Sequence, residues 1–211
     1  MKNIVKIGHW DTTQGAPTPR IVGQISGTPT IKLIKPALKK NKSNKKKIVL
    51  DYQYERKMKD MKNFVSSNIN NFVERIEGSK GKHGLDKFLA KASKYGLPVA
   101  IVFTKSSTTK PLVKYASSEF RRRLLIGEVR MTKPNKIIIE QYNIKEGETN
   151  LVVINRNKNG DLSEPVVYPT SKGFKFHKVI NFLSSHALPK PVNGAKKKVE
   201  EEDAPSKKKE L

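Results

Sequence analysis

The sequence predicts an α/β protein, and two observations carry that expectation. In the second half of the chain, short apolar runs alternate with segments whose apolar residues recur at helical spacing. An order of strand, turn, strand and amphipathic helix also closes each half, over residues 31–73 and again from residue 151 into a final helix around 176–183, with unrelated residues. At 211 residues the chain is long enough for two small cores or one medium one.

Taken in order, Ile4-Val5-Lys6-Ile7 is a short apolar segment predicted as a buried strand, and Thr30-Ile31-Lys32-Leu33-Ile34 alternates as a half-buried strand does. Between them, Pro17 and Pro19 exclude a regular helix at that point and leave room for a short one over 20–25. The Lys- and Asn-rich stretch 35–47 is expected to be an exposed loop leading to an antiparallel strand at 48–52. Met58, Met61, Phe64, Val65, Ile69, Phe72 and Val73 then fall at helical spacing among lysines, which predicts an amphipathic helix with one buried stripe. Methionines at that spacing are core packing rather than ligands.

Gly78-Ser79-Lys80-Gly81-Lys82-His83-Gly84 has three glycines and no large apolar residue, so residues 78–84 are expected to be a linker between a unit at 1–77 and one at 85–189. Leu85, Phe88, Leu89 and Ala92 form a helical stripe closed by Gly96 as C-terminal cap, with Pro98 just beyond. A strand at 99–103, a helix over 111–125 carrying Leu112, Ala116, Phe120 and Leu124, and a strand near 127–131 follow. The unit closes with a strand at 151–154, the turn Asn157-Lys158-Asn159-Gly160, a strand at 165–168 and a helix bearing Phe176, Val179, Ile180 and Leu183. Residues 190–211 are Lys, Glu, Pro and Ala with almost nothing to bury and are expected to be a solvated, disordered tail.

Composition excludes whole classes of function. There is no cysteine, which removes disulfides, thiolate metal sites and every cysteine nucleophile or redox pair. His9, His83, His177 and His186 are scattered without metal-ligand spacing, no glycine-rich phosphate loop or serine elbow occurs, and Glu200-Glu201-Glu202-Asp203 lacks the loop of a dedicated calcium site. No cofactor or metal is therefore expected. No apolar run approaches the ~18 residues of a membrane span, and residues 1–8 contain no apolar signal-peptide core. The net charge of +24 makes polyanions plausible partners, with Arg121-Arg122-Arg123, Lys39-Lys40 and Lys45-Lys46-Lys47 as the densest cations.

Gly27-Thr28-Pro29-Thr30-Ile31-Lys32-Leu33-Ile34, followed by Tyr52-Gln53-Tyr54-Glu55-Arg56 and a helix ending in Asn63-Phe64-Val65, resembles the C-terminal half of a thioredoxin domain of the protein disulfide isomerase family. In that family the proline of such a Thr-Pro-Thr segment is cis and lies beside the redox dithiol; Pro29 is the matching position, and the resemblance places Thr28 and Pro29 on the substrate side. Ile4-Val5-Lys6-Ile7-Gly8-His9-Trp10-Asp11 resembles the strand after the active-site helix, so the Cys-x-x-Cys segment has no counterpart. The second unit has Glu148-Thr149-Asn150 where a catalytic domain has its cis-proline, and it looks like a non-catalytic thioredoxin-like module. Lys208-Lys209-Glu210-Leu211 resembles the Lys-Asp-Glu-Leu retrieval signal of the endoplasmic reticulum lumen. A missing signal peptide and a missing active-site segment share one cause if the sequence is an N-terminally incomplete copy of a longer protein.

The resulting expectation is a thioredoxin-like α/β chain, truncated over 1–77 and fuller over 85–189. It would be redox-inactive because no thiolate exists to attack a disulfide, and it would bind unfolded or nascent polypeptide in the endoplasmic reticulum lumen to assist folding. The alternative is a basic nucleic-acid-binding protein, although aromatic residues interleaved for base stacking are not evident. An incomplete sheet leaves an open edge and apolar surface, so residues 1–77 alone are expected to be unstable or to associate.

Overall fold

The computed structural model describes residues 3–13, 15, 17–37, 47–145, 147, 149–157 and 160–193. An antiparallel pair, β1 (Lys32–Pro36) and β2 (Lys47–Asp51), leads into α1 (Met58–Asn68). The remaining strands form one five-stranded sheet: β3 (Glu74–Ile76), β4 (Val99–Thr104), β5 (Leu125–Arg130), β6 (Asn150–Arg156) and β7 (Leu162–Val167). Its order is β3-β5-β4-β6-β7, with β3, β5 and β4 parallel and β6 and β7 antiparallel. The helices α2 (Leu85–Tyr95) and α4 (Lys136–Gln141) pack on one face, and α3 (Pro111–Glu119) and α5 (Phe176–His186) on the other.

The local chemistry explains these elements. Every residue of β4, Val-Ala-Ile-Val-Phe-Thr, is buried, as expected of a central strand covered on both faces. Val99, Ile101 and Phe103 enter the core under α2 and α4, while Ala100 and Val102 enter the core under α3 and α5. Gly96 takes φ +64° and ends α2 as expected, with Leu97 N–H donating to Ala92 O at 2.9 Å. Pro111 occupies the first turn of α3, where a missing N–H costs nothing. Gly127 is required by close approach: a Cβ there would lie 2.5 Å from Ile76 Cδ1 and 2.8 Å from Phe88 Cζ.

Several expectations are corrected. Residues 4–7 form no strand, Ile7 is 96% exposed, and residues 20–25 make only a turn. The segment opens in a turn at Asn3 and Ile4 and has no ladder partner, and among the described residues the sheet in this part of the chain has two members, β1 and β2. The helix predicted to run to Val73 stops at Asn68, and its stripe contains no fully buried residue. Asparagines end it by offering the backbone other partners: Asn68 Nδ2 donates to Phe64 O at 2.8 Å, Asn70 Nδ2 to Pro36 O at 3.2 Å, and Asn71 Oδ1 accepts from Val73 N at 3.1 Å.

Residues 78–84 do not separate the two sheets. β3 already belongs to the larger sheet, so this segment connects β3 to α2 within that unit. It is closed on itself, with Leu85 N–H donating to Gly78 O at 3.0 Å and Asp86 N–H to Ser79 O at 3.1 Å. The larger unit also reaches past residue 189, because Val192 N–H donates to Arg122 O at 2.9 Å. The smaller unit joins it through polar contacts. Lys114 of α3 donates across to Ser66 O at 2.9 Å, and within the smaller unit Lys35 donates to Asn68 O at 3.3 Å, so both bring positive charge to the C-terminal end of α1, whose last turn has none of its own.

Candidate functional site

Two loops are candidate sites: one that the sequence points to, and one that only the fold brings out, at the C-terminal end of the central strand. The first, Gly27-Thr28-Pro29-Thr30, is an exposed bend leading into β1, and its Thr28–Pro29 peptide bond is cis. Thr30 Oγ1 donates to Gly27 O, and Arg56 Nη2 reaches from the β2–α1 connection to Pro29 O at 2.9 Å. The same connection carries Tyr52, whose hydroxyl donates to Glu55 O, and Tyr52, Tyr54 and Phe64 pack with ring centroids 5.2–6.0 Å apart. Desolvation, with the charges of Asp60 and Glu55, holds the Tyr52 phenol above its usual range. Arg56 thus ties the Thr28–Pro29 bend to the connection that carries Tyr52 and Tyr54, and the strand that follows the bend lies in the two-stranded sheet.

The second loop, Lys105 to Lys110, joins β4 to α3 at the C-terminal end of the central strand, where ligand sites of parallel sheets gather. It contains Ser106, Ser107, Thr108 and Thr109; the hydroxyls of Ser106 and Thr109 and the backbone of Ser107 and Thr108 hold the loop. Thr104 Oγ1 accepts from Ser106 N at 3.1 Å, Ser106 Oγ donates to Thr108 O at 2.7 Å, and Ser107 O accepts from Arg130 Nη2. Thr109 Oγ1 donates to Glu128 Oε2 at 2.7 Å. Glu128 is 2% exposed, and its Oε1 has no hydrogen-bond partner among the described residues. Lys110 Nζ donates to Thr149 Oγ1 at 2.7 Å, which brings the segment before β6 against this loop.

Chemically, this second loop is a rigid hydroxyl-lined turn without sulfur. Among the described residues no group of three metal-binding side chains occurs, and no helix is long and apolar enough to cross a membrane. The sequence reading missed Glu128, Arg130 and Asn135. Asn135 Oδ1 accepts from Gly78 N at 2.8 Å while its Nδ2 donates to Arg130 O at 2.8 Å, tying the β3–α2 loop to the end of β5. A charged residue two places before another on an otherwise apolar strand, Glu128 before Arg130, was the available signal.

The three consecutive arginines have intramolecular roles. Arg121 stacks over Phe72 at 4.2 Å, Arg122 Nη1 lies 3.4 Å from Asn193 Oδ1, and Arg123 Nε donates to Leu188 O at 2.6 Å. Lys39, Lys40, Lys45 and Lys46 lie outside the described residues, as do Lys208, Lys209, Glu210 and Leu211.

A sheet of order 1-3-2-4-5, its first three members parallel and its last two antiparallel, with helices on both faces, is the thioredoxin arrangement, and residues 74–186 have it. No protein-family profile and no curated protein matches the chain. Among solved structures, the zinc-bound form of human ERp44 is similar over 66% of this chain and 33% of its own, with 10% identity and a TM-score of 0.39. ERdj5 form II is similar over 64% of this chain and 18% of its own, with 10% identity and a TM-score of 0.42. The similar part thus spans a third or less of either protein.

Proposed function

We propose that this chain is a redox-silent, thioredoxin-like polypeptide-binding protein that assists folding in the endoplasmic reticulum lumen. One observation carries the reading. On the smaller unit large apolar and aromatic side chains stand open: Tyr54 is 66% and Met58 72% exposed, in and just after the connection that Arg56 ties to Pro29, and Ile34 and Ile48 are exposed on opposite faces of the hairpin. Such patches mark surfaces that bind other chains. The turn between β4 and α3 supports the redox-silent part, since it holds serines and threonines and the chain has no cysteine to form an attacking thiolate. The compartment rests on the resemblance of Lys208-Lys209-Glu210-Leu211 to a retrieval signal.

The test is binding of a permanently unfolded reporter polypeptide as ionic strength is raised, beside an insulin-reduction assay. Retention of the reporter at high salt with no reduction of insulin supports the reading. Failure to retain it, together with duplex or single-strand binding that collapses with added salt, would establish the nucleic-acid alternative that the charge of +24 favours.

A further inference from the structure

A groove of about 380 Å³ in the larger unit, lined by Tyr168, Lys172, Lys178, Asn181 and Phe182, has no part in the loops described above. Its floor is aromatic. The Tyr168 and Phe182 rings meet edge to face at 5.1 Å; Tyr168 is 2% exposed, with its hydroxyl donating to Gly173 O at 3.0 Å, so it backs the floor, and the half-buried Phe182 ring presents the open apolar surface. Val166, paired with the core residue Val153, lies on the same face of the edge strand β7 and is 38% exposed, which extends the apolar surface beyond the groove.

The rim has the opposite character. Lys172 and Lys178 are exposed, and among the described residues neither side-chain amine forms an ion pair or hydrogen bond; the Asn181 side-chain amide is equally uncommitted. Lys178 stands in the first turn of α5, which contains no acidic residue. That end of a helix favours negative charge, so the helix and both lysines add up to one positive potential over an apolar floor.

We propose that this groove binds an acidic peptide segment carrying an aromatic or large aliphatic side chain. The apolar side chain would lie against Tyr168 and Phe182, the flanking carboxylates against Lys172 and Lys178, and the Asn181 amide would meet the peptide backbone. A phosphodiester chain fits less well, because the two rings are packed edge-on to each other and leave no stacked pair of faces for successive bases. The proposal rests on the polypeptide-binding reading and narrows it to a class of partner sequence.

The test is fluorescence anisotropy of the full chain with a labelled Glu-Asp-Phe-Asp-Glu peptide, alongside the unfolded reporter. Lys172→Gln with Lys178→Gln is expected to weaken peptide binding roughly ten-fold or more, while Lys59→Gln with Lys62→Gln on α1 leaves it within about two-fold. Replacing the peptide's Phe by Gly, or its acids by amides, is expected to cost as much as the first lysine pair. All four lysines are exposed, and matching circular dichroism spectra verify the fold. No binding by the wild-type chain, equal losses from both lysine pairs, indifference to the Phe, or displacement by an oligonucleotide of equal charge would each overturn the groove. Reporter binding that survives while the peptide fails removes the groove and leaves the general reading; peptide binding without reporter binding removes the general reading and leaves a receptor for acidic segments.

Discussion

The two halves of this chain use the same closing order of strand, strand and helix and reach opposite results. In β6, β7 and α5 the first strand is buried at five of its seven positions, and the helix buries Val179 and Leu183. In β1, β2 and α1 no residue is buried, and indeed none of the described residues before Ile76 is. The difference is in the neighbours. β6 is paired with β4 on one side and β7 on the other, and helices cover both sheet faces; β1 and β2 have only each other. A hairpin with a helix does not constitute a core, and a two-stranded sheet is marginal in water without further strands.

Native-state hydrogen exchange puts the largest number on this contrast. Amides of β4, β5 and β6 are expected to exchange only through global unfolding, and those of β1 and β2 orders of magnitude faster by local opening. Equal protection in the two sheets would break the comparison. Phenylalanine truncation sharpens it in urea denaturation: Phe103→Ala, fully buried on β4, should cost about 3–5 kcal/mol, whereas Phe64→Ala in the half-buried tyrosine cluster should cost about 1 kcal/mol.

A glycine pair probes packing directly. Gly127→Ala pushes a methyl group into Ile76 and Phe88 and is expected to destabilise by about 1–3 kcal/mol, while Gly27→Ala meets nothing within 4 Å and should stay within about 0.5 kcal/mol. Thr109→Val removes the hydroxyl that donates to Glu128 Oε2 and leaves that buried carboxyl group without it, at an expected cost of about 1–3 kcal/mol in the same assay.

The smallest effect is a pH dependence confined to the larger unit. Burial holds His186 below its ordinary value of 6.5, beside Asn155 at 3.0 Å and the Phe182 ring. As pH falls, the unfolded chain takes up this proton before the folded one does. The contribution is therefore complete above the unfolded value and declines as pH drops below it. His186→Gln should flatten the fall in urea midpoint between about pH 7.5 and about pH 5.5.

Elements covered on both faces or closed by strong signals were legible. Val99 to Phe103 and Leu151 to Ile154 are unbroken apolar runs because two helical layers cover them, and Gly96 and Pro111 mark helix ends by their own backbone limits. β3 was not legible, since Glu74-Arg75-Ile76 has one apolar residue and becomes a strand only by pairing with Gly127 to Val129. α4 passed unnoticed because Ile137-Ile138-Ile139 is a β-branched run that favours strands; burial of Ile138 and Ile139 against the sheet overrides that preference. Glycines at 78, 81 and 84 read as a flexible linker, yet Gly84 is a close-packing site where a Cβ would lie 2.5 Å from the Lys80 backbone.

The candidate sites divide in the same way. Thr28 and Pro29 are named from a local string, because a bend before a strand is written in consecutive residues. Glu128, Thr109 and Arg130 were not, because they meet only when β5 lies beside β4. The sequence by itself determined the lack of cysteine, the excess of positive charge and the alternation of strands and helices, since these depend on residue type and near spacing. Tertiary structure alone decided which strands joined the large sheet, which hydroxyls and arginines were committed to internal partners, and where cations were left open over an aromatic floor. Those outcomes depend on contacts between residues far apart in the chain, and no local preference encodes them.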